Sequence, residues 1–161
     1  MRGIIQNQVI LPVKYYYMLN GALVNFYERD IRKLIEEVNL FKNEENLWKT
    51  HGSVKNSSGN LVLHIIGGTN HLIGATLAHT GYVRDRDEEF VKKGVPRKDL
   101  VGQLEKLIPL INKTVGALDI EADYPLIFDD ATRSNSYVLT QLLLHLNYHL
   151  GQVNYLRRIL E

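Results

Sequence analysis

His145-Leu146-Asn147-Tyr148-His149-Leu150-Gly151-Gln152 lies near the end of the chain, inside a stripe of Val138, Leu142, His145, His149, Val153, Leu156 and Leu160 that recurs at steps of three and four. That period marks a helix with one inward face, because residues three and four apart stack on the same side. It predicts a last helix over 136–160. His145 and His149 stand one turn apart on that face, so their imidazoles can converge on a single point, which is the geometry of a metal-ligand pair. On an inward seam a neutral imidazole needs a partner.

Working outward, the same period appears three more times. Leu19, Leu23, Tyr27, Ile31, Leu34 and Val38 predict a first helix over 14–39, after an extended lead-in at residues 1–13. Tyr15, Tyr16 and Tyr17 read as a core edge or a subunit contact. Ser57-Ser58-Gly59-Asn60 supplies caps for a second helix over 58–79 whose seam is Leu61, His64 with Ile65, Gly68, His71 with Leu72, and Ala75. Between these helices, Phe41 to Gly59 is polar, with a short turn around Glu44 to Trp48. A third helix starts near Lys98 and carries Leu100, Leu104, Leu107, Ile111 and Leu118, with Pro109 inside it predicting a kink or a lost hydrogen bond. The connector from Ala117 to Asn135 holds Pro125, Asp129-Asp130 and the cap candidates Thr132, Ser134, Asn135 and Ser136; a short extended piece is expected around Tyr124 to Phe128. Four long amphipathic helices without a strand pattern predict an all-α bundle.

Composition narrows the function. The 161 residues suit a single domain, 1–161. Nineteen Lys and Arg against 18 Asp and Glu leave a formal net charge of +1, so no strong field draws the chain to nucleic acid or an anionic membrane. There is no cysteine, which removes disulfides, thiolate ligands and a protein thiol nucleophile, so any sulfur chemistry must arrive with a ligand. Gln6, Asn7, Gln8 and Pro12 interrupt the N-terminal apolar run before it makes a signal-peptide core, and no segment is read as reaching the roughly 20 apolar residues that span a bilayer. A soluble cytoplasmic protein is the expectation. The Asn56 and Asn112 glycosylation triplets are discounted for the same reason. No phosphate loop, dinucleotide fingerprint or repeat is visible.

Of the six histidines, His64 and His71 share the second helix with a separation of about 10 Å, too far for both to reach one ion easily. Spacing alone does not choose between them. His79 falls off the shared face and His51 lies in the polar stretch. A zinc protease of the H-E-x-x-H kind needs Glu after its first histidine, and here Leu146 stands there. An ion on imidazoles alone can still act as a Lewis acid toward a bound water or an incoming thiol.

Three motifs in order, Gly59-Asn60-Leu61-Val62-Leu63-His64, Arg84-Asp85-Arg86-Asp87-Glu88-Glu89-Phe90 and His145-x-x-x-His149-x-Gly151-Gln152, resemble the DinB-like superfamily, over nearly the whole chain from about residue 14. The resemblance implies a four-helix bundle running up-down-down-up, with a long connection before the last helix. It also implies a divalent ion, zinc or nickel, held by His64, His145 and His149. His71 is then a pocket neighbour or a core residue. Members with known activity resemble metal-dependent transferases that join a low-molecular-weight thiol to an electrophile, or related isomerases and hydrolases.

Around such a site, Gln152 and Asn147 could orient ligands, with Asn147 able to point away, and Tyr148 reads as packing. Arg84 and Arg86 could bind carboxylates of a thiol cosubstrate; the favoured reading pairs them with Asp85, Asp87 or Glu88 in a solvated loop. No carboxylate or second base is expected beside the histidines. A homodimer is expected from the resemblance and the tyrosine-rich first helix. The other functional reading is a non-catalytic, stress-related bundle in which the histidines hold a structural ion or serve a binding role.

Overall fold

The computed structural model describes residues 13–161, with side chains from residue 18 onward. The lead-in expected at residues 1–12 and the contacts expected of Tyr15, Tyr16 and Tyr17 lie outside the described residues. Five helices account for the regular structure: α1 (Val13–Asn39), α2 (Ser58–Ala78), α3 (Arg86–Val91), α4 (Arg97–Gly116) and α5 (Asn135–Leu160), with a short 3-10 turn at Glu44–Trp48. Among the described residues there is no strand. Where an extended piece is predicted near Tyr124, two isolated bridges join Asp123 to Ser134 and Phe128 to Ala131. Between the second pair, Asp129 and Asp130 both take left-handed backbone, φ 50° and 59°, which is the geometry of a tight primed turn.

Local chemistry fixes the helix ends. Ser57 accepts from the Asn60 amide at the start of α2, and Ser134 accepts from the Tyr137 amide at the start of α5, each relieving a donor that the first turn leaves unpaired. At the far end of α1, Arg97 donates to the Phe41 carbonyl at 2.6 Å. Asn20, buried in α1, donates to the Val115 and Leu118 carbonyls where α4 ends.

α1 packs on α4 and α5, and α2 packs on the same two helices. Leu23, Tyr27, Ile31, Leu34 and Val38 line the buried side of α1, facing Leu100, Leu104, Leu107 and Ile111 of α4 within one apolar cluster. Each such side chain contributes about 1.5–3 kcal/mol by leaving water. Tyr27 keeps its hydroxyl satisfied by donating to the Leu139 carbonyl at 2.7 Å. Leu19, assigned to this seam by its spacing, is 41% exposed, so the seam of α1 begins at Leu23. Pro109 sits on the exposed side of α4, and the helix runs through it to Gly116.

α2 differs from expectation in two ways. Its second half, Asn70–Ala75, winds as a π-helix, where a regular helix to residue 79 is predicted. It is also long and apolar enough, at 21 residues and mean hydropathy 1.3, to cross a membrane by length and composition alone, contrary to the reading that no segment qualifies. Its apolar residues have a use in the fold: Leu61, Val62, Ile65, Ile66 and Ile73 are all buried in the common cluster. A helix covered on several sides by its neighbours is apolar nearly all round.

Candidate metal centre

α2 and α5 cross so that His64 meets His145 and His149. Their ligand atoms all lie within 4.8 Å of one another, the one such group of His, Asp and Glu side chains among the described residues. His64 is buried in α2. His145 is exposed and His149 half-buried, so the pair stands at the edge of the α5 seam instead of within it. The side chains that α5 buries are Val138, Leu139, Leu146, Leu150, Val153 and Leu156. His71 is half-buried and outside the group, while His51 and His79 are exposed.

Hydrogen bonding decides what the three rings present to each other. His64 Nδ1 lies 2.8 Å from Glu89 Oε2, an acceptor-only carboxylate, so Nδ1 carries the proton. Arg84 Nη2 also approaches that nitrogen at 3.3 Å, but it already donates to Glu89 Oε2 at 2.8 Å. His149 Nδ1 lies 2.6 Å from Gln152 Oε1 and likewise donates. The Nε2 atoms of His64 and His149 are therefore bare lone pairs, and both point at His145 Nε2, at 3.0 and 3.1 Å. One nitrogen has at most one proton to give. At least one lone pair is left facing another polar atom without a hydrogen between them.

A cation resolves that conflict. Nitrogens at 2.0–2.1 Å from a shared zinc stand about 3.3 Å apart in a tetrahedron, within a few tenths of an ångström of the two spacings to His145, and all three ligand atoms lie within 4.8 Å of one another. The rings are also in the protonation state an ion needs. Burial pushes His64 below its ordinary pKa despite the opposing Glu89 bond, and burial does the same to His149. Although an edge of it meets solvent, His145 is pushed down to about 4 by desolvation of the ring face packed in the cluster and by its two imidazole neighbours. At neutral pH all three are uncharged ligands.

The charged stretch Arg84–Phe90, expected as a solvated loop, runs into α3 and turns one of its acids inward. Asp85, Asp87 and Glu88 are exposed, as a solvated loop requires, but Arg84 is half-buried and Glu89 is buried at 6% exposure. Arg84 pairs with Glu89, not with the three exposed acids: Nε donates to Oε1 at 2.7 Å and Nη2 to Oε2 at 2.8 Å. A carboxylate therefore does lie beside the histidines. Phe90 follows it and sets its ring 4.9 Å from that of His64. Asn60 fastens the segment by donating to the Glu89 and Lys92 carbonyls at 3.0 and 2.8 Å. Gly67 makes the room, since a Cβ there would fall 2.0 Å from Glu89 Oε1.

A cleft of about 510 Å³ opens beside the centre, lined by His64 and His145, by the apolar Leu72, Phe128 and Leu142, and by Arg84 and Arg86. Arg86 has no carboxylate partner among the described residues, and its guanidinium lies 6.0 Å from the Phe90 ring centre. Of the other residues singled out in the sequence, Gln152 touches the centre through His149. Asn147 points away, donating to Asp30 at 3.1 Å on α1. Tyr148 is 64% exposed and lies edge-on to His149, so it does not pack in the core.

No curated protein and no solved structure matches this chain. A family described as a protein of unknown function, DUF1572, matches residues 18–161 and so covers α1 from residue 18, the other four helices and the histidine cluster. The chain belongs to that family.

Proposed function

We propose that this is a metal-dependent enzyme of the DinB-like superfamily, with His64, His145 and His149 holding one divalent ion, zinc or nickel, at the mouth of the cleft. The observation that carries the reading is the pair of bare Nε2 lone pairs aimed at a third imidazole nitrogen, an arrangement that a shared cation satisfies. Bound there, the ion would supply Lewis acidity that lowers the pKa of a water or of an incoming low-molecular-weight thiol. Three protein ligands with an adjoining cleft suit a catalytic centre, whereas a structural zinc usually has four protein ligands.

The chain's own residues divide the remaining work. Leu72, Phe128 and Leu142 give the cleft an apolar wall for the body of an electrophilic small molecule. Arg86 offers a guanidinium to an anionic group such as a thiol cosubstrate's carboxylate, while Arg84 is committed to Glu89. Glu89 holds the His64 proton on Nδ1, and Gln152 does the same for His149. A four-helix bundle running up-down-down-up is part of the same proposal. It is supported by the way α1 and α2 each pack on both α4 and α5.

The reading is tested by thiol conjugation to a reactive aromatic electrophile, with zinc or nickel supplied and then chelated. Chelation and His145→Ala should each abolish turnover. Conjugation indifferent to both would contradict the proposal.

A further inference from the structure

We propose that Glu89, clamped by Arg84 and seated against Gly67, is a positioning residue that sets the tautomer and basicity of His64, and through them the centre's affinity for its ion. This inference rests on the reading that the three imidazoles share an ion. It goes beyond that reading by assigning a role to the buried acid of the charged stretch.

Glu89 spends its carboxylate on three donors. Oε1 accepts from Arg84 Nε, and Oε2 accepts from Arg84 Nη2 and from His64 Nδ1. A carboxylate behind an imidazole fixes the ring's orientation and makes its far nitrogen a better ligand. The bidentate clamp prevents Glu89 from rotating away, and it makes the Arg84 and Glu89 pair neutral as a unit. The surroundings are shaped to keep this contact. Helix α2 has no side chain at Gly67, where even a methyl group would collide with the carboxylate. Asn60 ties the Glu89 and Lys92 carbonyls to α2, and Phe90 lies over the imidazole it helps to hold.

A buried ion pair is weak evidence of a stabilising role, because desolvation offsets much of its attraction. What separates Glu89 from such a pair is that its third partner is a ring whose other nitrogen points into the centre.

The test is a zinc titration of the full chain against a competing chelator, alongside nitrogen NMR of the His64 ring in metal-free protein. Glu89→Gln keeps the shape but cannot accept both Arg84 donors, and it should weaken zinc binding about 10–100-fold. The His64 ring should change from a single Nδ1-protonated form to a mixture. Glu88→Gln, one residue away and exposed, should change neither. Gly67→Ala should fall as far as Glu89→Gln, with the double variant no worse than either, because both break one contact. If Gly67→Ala fails to fold, Glu89→Gln decides alone. Unchanged zinc affinity and an unchanged His64 tautomer in Glu89→Gln would overturn the proposal. Absence of zinc binding in the wild type would instead remove the shared-ion reading, and the tautomer measurement would still decide whether Glu89 governs His64.

Discussion

Two buried carboxylates in this molecule are built alike and end differently. On the α1–α5 interface, Glu37 accepts from Arg157 at 2.7 Å and from Asn154 at 2.8 Å. Beside the cleft, Glu89 accepts from Arg84 at 2.7 and 2.8 Å. The exposures also match, 3% and 17% for the first acid and its arginine against 6% and 16% for the second. Yet every partner of Glu37 is spent inside the interface, where Asp30, one heptad earlier, makes the equivalent bond to Asn147. The additional partner of Glu89 is a histidine whose other ring nitrogen faces the imidazole of His145. The same kind of ion pair ends within packing in one place and against the three-histidine group in the other, and only the far end of its neighbour tells them apart.

Glu37→Ala breaks the carboxylate of the α1–α5 interface and should have the largest effect on stability. It leaves the Arg157 guanidinium without its partner, costing about 3 kcal/mol, at the low end for a broken buried pair because part of Arg157 meets solvent. Urea unfolding should register that loss while zinc affinity stays at the wild-type value. A Glu37→Ala protein that lost its ion with its fold intact would erase the distinction between the two carboxylates.

Acid should separate the two regions more gently, through His145 in one and Glu37 in the other. His145 has its folded pKa depressed from 6.5 to about 4, so in metal-free protein its contribution is complete above 6.5 and fades as the pH falls toward 4. Burial alone would raise the Glu37 carboxyl, but Arg157 and Asn154 outweigh it and hold it below its ordinary 4.5. Its contribution is complete above the usual carboxylate range and disappears as the pH drops through the lowered value. Melting temperatures of metal-free protein should thus fall in two stages. His145→Ala should shrink the upper stage, which His64 and His149 share through their own lowered pKa values, and Glu37→Ala should shrink the lower one. A melting temperature constant from pH 6.5 to 4 would refute the assignment to His145.

How much of this was legible in the sequence depended on whether a period carried it. The long helices were, because Leu23 to Val38 and Leu100 to Ile111 repeat at helical spacing and are buried as a row. On α5 the period misled by one step: with Leu142, Leu143, Leu144, Leu146 and Leu150 in succession, two adjacent stripes look equally apolar. The helix buries Leu139, Leu146 and Leu150, turning His145 to the edge. Spacing could not choose between His64 and His71, since both share the apolar face of α2; the structure brings His64 to the α5 pair and leaves His71 aside. Glu89 was hidden for another reason. It lies five residues beyond Arg84 across the start of a short helix capped by Asp85, so no helical or strand spacing relates the two. Its socket, Gly67, shows only as the absence of a side chain, and a π-helical segment such as Asn70–Ala75 leaves no period to read.

Whether one ion is shared by these three histidines is decided by metal analysis. Wild type, His64→Ala and His71→Ala should be purified without a nickel column and loaded with zinc. Wild type and His71→Ala should hold about one ion per chain and His64→Ala none, because removing one of three ligands leaves too few to hold it. Zinc retained by His64→Ala, or lost by His71→Ala, would contradict the assignment; a wild type that binds none would contradict the centre itself.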